Sequence, residues 1–243
     1  MLIGKKYIGF FLIFILLIAM TTSCRRKDSI LFDRMKSLET TNDGELSDKT
    51  IEKLKEGIKK YKAEVERTIR AYENIGQYYK LLAVELIGRE MYGVALDYVK
   101  KAIEIYPENA VLFQLAGVCS ARMAKAMINE QEKQRELFLN AEKFYKRALE
   151  LDEWYVDALY GLAVLYVFEL DRVREAEPLV TKIIEKEKKN VDARFLLARI
   201  YVSSGRIEDA IEIYDEIINI TSSPEIKRKA RGNMEKLLRG EYG

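Results

Sequence analysis

After Ser47, apolar residues recur at steps of three and four positions: Ile51, Leu54, Ile58, Tyr61, Val65, Ile69 and Tyr72. That spacing puts them on one face of a helix, so residues 48–75 are expected to form an amphipathic N-terminal helix. Its apolar side must lie against something, most simply the helical pair that follows. A longer period then takes over. Small residues at Ala83, Gly117, Ala163 and Ala198 each follow an apolar neighbour (Leu82, Ala116, Leu162, Leu197), and a second alanine comes later, at Ala95, Ala141, Ala176 and Ala210. The first series is spaced by 34, 46 and 35 residues and the second by 46, 35 and 34, so one insertion in the second copy explains both. Self-similarity of this length predicts stacked helical hairpins, because one hairpin cannot bury its own apolar face. The small residues sit where paired helices cross, and a larger side chain there would force the backbones apart at about 1–3 kcal/mol per site.

These residues resemble the tetratricopeptide repeat. The first copy supplies Tyr79, Leu82, Ala83, Tyr92, Ala95, Ala102 and the terminating Pro107; the second keeps Phe113, Gly117, Ala141, Tyr145 and Ala148. Leu162, Ala163, Tyr166 and Ala176 carry the third, and Leu197, Ala198, Tyr201, Gly205, Ala210 and Tyr214 the fourth. The resemblance implies an all-α fold, a right-handed superhelical α-solenoid of four hairpins over residues 76–223. The N-terminal helix precedes it, and a capping helix over 224–243, opened by Pro224, ends it. The insertion, residues 121–140, carries Met123, Met127, Ile128, Leu137 and Phe138 around a charged apex from Glu130 to Arg135. Both helices of the second hairpin are expected to lengthen there, and these side chains either form an adaptable contact surface or pack against one another.

The resemblance also implies a concave face lined by the first helix of each hairpin. Carried over place by place, that face holds Gln77, Lys80, Val84 and Ile87, then Val111, Gln114, Val118 and Arg122, then Asp157, Tyr160, Val164, Val167 and Phe168, and finally Asp192, Phe195, Arg199 and Val202. Its lining is mostly apolar, and an apolar groove is either filled or functional. Two occupants stand side by side: a segment of the chain itself, the Ile51–Tyr72 helix or the long second hairpin, or an external ligand. The external ligand is an amphipathic helix or extended peptide of another envelope protein, anchored by Tyr160, Val164, Phe168 and Phe195, with Lys80 and Arg199 orienting a carboxylate. A hydrophobic small molecule is the other external ligand, which would make the protein an accessory component of an envelope transport system.

The first two dozen residues bear on location. Lys5 and Lys6 precede an apolar run from Ile8 to Met20, and Thr21, Thr22 and Ser23 lead into Cys24. The run is shorter than the roughly 20 residues that span a bilayer comfortably, and it reads as a secretory signal over residues 1–23. Its end resembles a bacterial lipoprotein processing site, with Thr21 in place of the usual leucine. Processing would leave Cys24 as the lipidated first residue of a tether, 24–47, and each buried methylene adds about 0.8 kcal/mol to anchoring. An uncleaved signal anchor is the competing reading. Either one places the repeats outside the cytoplasm, on the cell envelope.

Composition narrows the chemistry. The 41 basic and 39 acidic residues nearly cancel, and no basic stripe with interleaved aromatics appears, so nucleic acid is not an expected partner. Histidine is absent, which removes the commonest general base, the commonest zinc ligand and every Ser–His or Cys–His nucleophile. None of the 13 glycines forms a phosphate-cradling loop. No catalytic residue, metal or cofactor is expected, and the chain reads as a binding or assembly scaffold. Cys119, on the helix that carries Val118 and Ala121, reads as a small buried hydrophobe.

Overall fold

The computed structural model describes residues 48–241; the expected signal segment, Cys24 and the tether lie outside the described residues. The chain divides into two compact units, residues 1–64 and 65–243. The described residues hold nine α-helices and no strand. Helix α1, Asp48–Gly88, carries the described part of the first unit and opens the second; α2 is Tyr92–Ile105, α3 Ala110–Ala126, α4 Gln131–Leu151 and α5 Val156–Phe168. Then follow α6, Val173–Lys186, α7, Val191–Ser203, α8, Ile207–Ile220, and α9, Pro224–Leu238. None of the described helices is long and apolar enough to cross a membrane.

Two expectations about the start of the chain are corrected. The stretch 48–75 is not a helix separate from the first hairpin, because α1 runs unbroken for 41 residues. Gly76 stays helical within it for a packing reason: a Cβ there would lie 2.5 Å from the ring of Tyr106, whose hydroxyl donates to the Glu73 carbonyl at 2.7 Å. The helix stops only after Gly88, where Glu90 takes a left-handed φ of 60° and the Met91 amide turns back to the Leu86 carbonyl. The apolar stripe is not packed away either. Within the second unit Val65, Ile69 and Tyr72 are all more than half exposed, so they fill no groove. The cause is length: α2 has 14 residues, about 21 Å of helix, and covers only the last turns of α1.

From α1 onward the hairpins close on their small residues. Ala83, Ala95, Ala141, Ala163, Ala176, Ala198 and Ala210 are all fully buried. One apolar cluster joins Ala83, Ala95, Val99 and Ala102 to Leu112, Ala116 and Cys119 of α3. A larger one begins at Ala124 of the same helix and runs to Leu237 of α9. From α3 to α9 each helix packs on its neighbour in the chain, and α5 also touches α3 and α7, the first helices of the adjoining hairpins. Several helix starts are written locally. Asn109 accepts from the Val111 amide, Asn190 from Ala193, and Ser223, followed by Pro224, from Ile226.

The insertion lengthens both helices of the second hairpin: α3 has 17 residues and α4 has 21, against 13 or 14 in each of α5 to α8. Phe138 is buried and Met123 and Leu137 are partly buried against the two clusters, while Ile128 at the tip is 76% exposed. Of the two readings of this segment, internal packing accounts for most of its apolar side chains. Gln134 secures the base of the extension by donating to the Ala124 carbonyl at 3.1 Å.

Candidate functional site

The contacts of α5 with α3 and α7 form one face from three first helices, and a glycine pair decides how closely they approach. Tyr145, on α4, inserts its ring against Gly117 of α3 and Gly161 of α5; a Cβ at either glycine would lie 2.7 Å from the ring. The ring is only 3% exposed. Over it lies a cleft of about 310 Å³. Gln114 and Val118 approach it from α3, Val156, Asp157 and Tyr160 from α5, and Asp192 from the first turn of α7, beside Asn190.

The cleft therefore gathers Gln114, Val118, Asp157, Tyr160 and Asp192 of the groove residues read from the sequence. The others are placed elsewhere. Val164 is partly buried against the main cluster, Phe168 is exposed at the end of α5, and Arg199 is exposed on α7. Phe195 is partly buried, its ring 6.1 Å from that of Tyr214 and 4.8 Å from the ammonium of Lys229. Thus the side chain of Lys229, from α9 and from neither of the segments considered beforehand, lies over Phe195 at this end of the face. Lys80 is partly buried and Val84 exposed on α1. Neither lines the cleft.

More of the cleft's exposed wall is apolar than polar, and Gln114, Asp157 and Asp192 add polar groups to it. Val164, Val167 and Val202 are drawn against the core, while the polar residues among them stay open. Sequence reasoning missed Gly161 and Asn190. A glycine in mid-helix, which costs about 1 kcal/mol against alanine, was the one signal that could have found Gly161.

Burial and carboxylates set the electrostatics. Burial, and next the charge of Asp192, raise the Tyr160 hydroxyl above its ordinary value. Burial and the Asp157 carboxylate push Tyr155 up to about 12. The Tyr145 hydroxyl is raised by burial and by Cys119 nearby, against an opposing pull from Arg122. Burial pushes the Cys119 thiol up to about 12, so it stays protonated and unreactive at neutral pH. A second polar cluster braces rather than binds. Glu142, buried on α4, accepts from the Tyr166 hydroxyl and Arg172, each at 2.9 Å, and pairs with Lys146 at 2.7 Å.

Comparison with known proteins agrees with this architecture. Residues 167–230 match the family model of the tetratricopeptide repeat. A TPR repeat-containing protein of Borreliella burgdorferi is 27% identical over 216 residues, covering 88% of this chain and 93% of that protein. Among solved structures, human IFIT1, a dimer with PPP-AAAA, aligns with a TM-score of 0.60 at 23% identity, covering 77% of this chain and 44% of that one. YrrB, described as a TPR protein with an unusual peptide-binding site, aligns with a TM-score of 0.51 at 18% identity, over 67% of this chain and 77% of that one. Crossing residues, hairpin contacts and these likenesses agree on an all-α helical-repeat fold similar to that of tetratricopeptide repeat proteins.

Proposed function

We propose that this chain takes a polypeptide segment on the face made by α3, α5 and α7, without turnover, and is held at a bacterial envelope membrane by lipid on Cys24. The observation that carries the first part is the open cleft. Tyr160 and Val118 remain partly exposed above a fully packed core, and polar groups converge beside them. Such a mixture of an aromatic anchor, apolar wall and polar rim suits a peptide. The two structural neighbours differ in what they carry, a peptide-binding site in YrrB and PPP-AAAA in IFIT1, so the choice rests on this chain's own lining. Two carboxylates in it repel phosphate, which favours a polypeptide over nucleic acid. They also disfavour a hydrophobic solute, and with it a role in solute transport. Support for the anchor is the sequence alone: Lys5 and Lys6, the run Ile8–Met20, and Cys24.

A photo-crosslinking residue at position 160 tests the face in cells that naturally carry the protein. One defined polypeptide is expected to crosslink there and not at the exposed position Glu185 on α6. Equal labelling at both, or none at 160, removes this face from consideration. For the anchor, Cys24→Ala is expected to release the protein from membranes or to block its maturation. Unchanged lipid labelling ends that assignment.

A further inference from the structure

Asp157 and Asp192 face the same cleft from the first turns of α5 and α7. Neither has an ion-pair partner among the described residues, and Asp157 already accepts from the Tyr155 hydroxyl. A carboxylate in a helix's first turn has an ordinary use, since it meets a partial positive charge of about half a unit at the helix start. Two helix starts thus offset about half of the two carboxylates' charge, and the cleft stays negative. Arg122, one turn beyond Val118 on α3, is exposed and does not line it.

Tyr145 supplies an independent observation. Its side chain is 3% exposed, and its hydroxyl lies 3.0 Å from where a Gly161 Cβ would stand, on the wall of the cleft. That hydroxyl has no hydrogen-bond partner among the described residues. Among the described residues the fully enclosed unpaired polar side-chain atom is Ser120 Oγ; the Tyr145 hydroxyl instead opens onto the cleft, where it can accept from a group that enters. The glycine at 161 leaves the approach open. Asn190, by contrast, is already committed: its Oδ1 accepts from the Ala193 amide and its Nδ2 donates to Glu187.

We infer that this cleft is a subsite for one cationic side chain, a lysine or an arginine, of the polypeptide bound along α3, α5 and α7. The inference rests on the peptide-binding role proposed above and names the chemistry of its partner. Asp157 and Asp192 neutralise the incoming charge, and the Tyr145 hydroxyl and the Gln114 carbonyl oxygen accept from its N–H groups. The methylene stem lies against Val118 and Val156, which gives the long side chain an apolar wall behind a polar end. About 310 Å³ admits a guanidinium or ammonium group with its stem.

The test uses the full-length chain labelled with ¹⁵N and two capped octapeptides of one sequence, one bearing two arginines and the other citrulline, an uncharged isostere, in their place. The arginine peptide is expected to shift the amide resonances of Gly161 and Asp192, to bind about tenfold more tightly than the citrulline peptide, and to weaken with added salt. Asp157→Asn with Asp192→Asn should abolish that preference, and Tyr145→Phe should lower affinity a few-fold, with unchanged circular dichroism in each. If both peptides shift these amides equally, the cationic subsite falls while peptide binding on this face stands. Equal binding by the double variant likewise overturns the subsite. Absence of any shift along α3, α5 and α7 overturns both readings.

Discussion

Gly117 and Gly161 show how one ring sets the spacing of three helices. Exchanging a mid-helix glycine for alanine gains up to about 1 kcal/mol in helix propensity. At 161 the new methyl meets the Tyr145 ring, which Gly117 walls on its other side and which therefore has nowhere to retreat. Overpacking of about 1–3 kcal/mol outweighs the gain, so Gly161→Ala is expected to lower stability by about 1–2 kcal/mol in urea unfolding. Gly232→Ala is the control: nothing lies within 4 Å of a Cβ there, and a gain of up to about 1 kcal/mol is expected. The sequence marked Gly117 through its place in the period. It did not mark Gly161, whose glycine is required by a tyrosine 16 positions away in sequence and on another helix.

Among the elements, α1 separates periodicity from packing. The apolar pattern of Val65, Ile69 and Tyr72 was legible and the helix forms, yet its apolar side is left open because α2 is too short to cover it. Removing exposed side chains from the native state changes stability little, so Val65→Ser with Tyr72→Ser is expected to move the unfolding free energy by less than about 0.5 kcal/mol. Val99→Ala, which empties a fully buried position on α2, should cost about 2 kcal/mol. Comparable losses from both variants would mean that the stripe is buried in solution. A period of three and four residues reports which side chains share a face; the length of the opposing helix decides whether that face is covered.

Across the whole molecule, stability depends on junctions between hairpins, and Glu142 braces one of them. It lies on α4 and is met by Tyr166 of α5 and by Arg172, which caps α6, with Lys146 beside it. Burial raises its proton affinity, but these three donors outweigh burial and hold the carboxyl below its ordinary range. A carboxyl lowered on folding adds stability above its unfolded value, about 4.3, and that contribution disappears as pH falls through the folded value. Glu142→Gln is therefore expected to be less stable at pH 7 by about 1–3 kcal/mol, with the difference from the natural chain narrowing below about pH 4. Urea unfolding at a series of pH values checks both the size and the sign. Where each hairpin touches chiefly its neighbours, loss at one such joint is felt along the stack. This joint was invisible in the sequence because Glu142 and Arg172 are 30 positions apart and carry no periodic mark.

By itself the sequence determined the helices, their order and the small residues at their crossings, since local spacing and a repeated period record these directly. Capping residues such as Asn109, Asn190 and Ser223 belong to the same local code. Tertiary packing decided which side chains of the shared face remain available. It drew Val164, Val167 and Val202 against the core, set Lys229 over Phe195, and left Asp157, Asp192 and Tyr145 around one cleft. The period assigns every repeat the same face, but which part of it stays open depends on how far each neighbouring helix reaches and on what the chain's own ends cover.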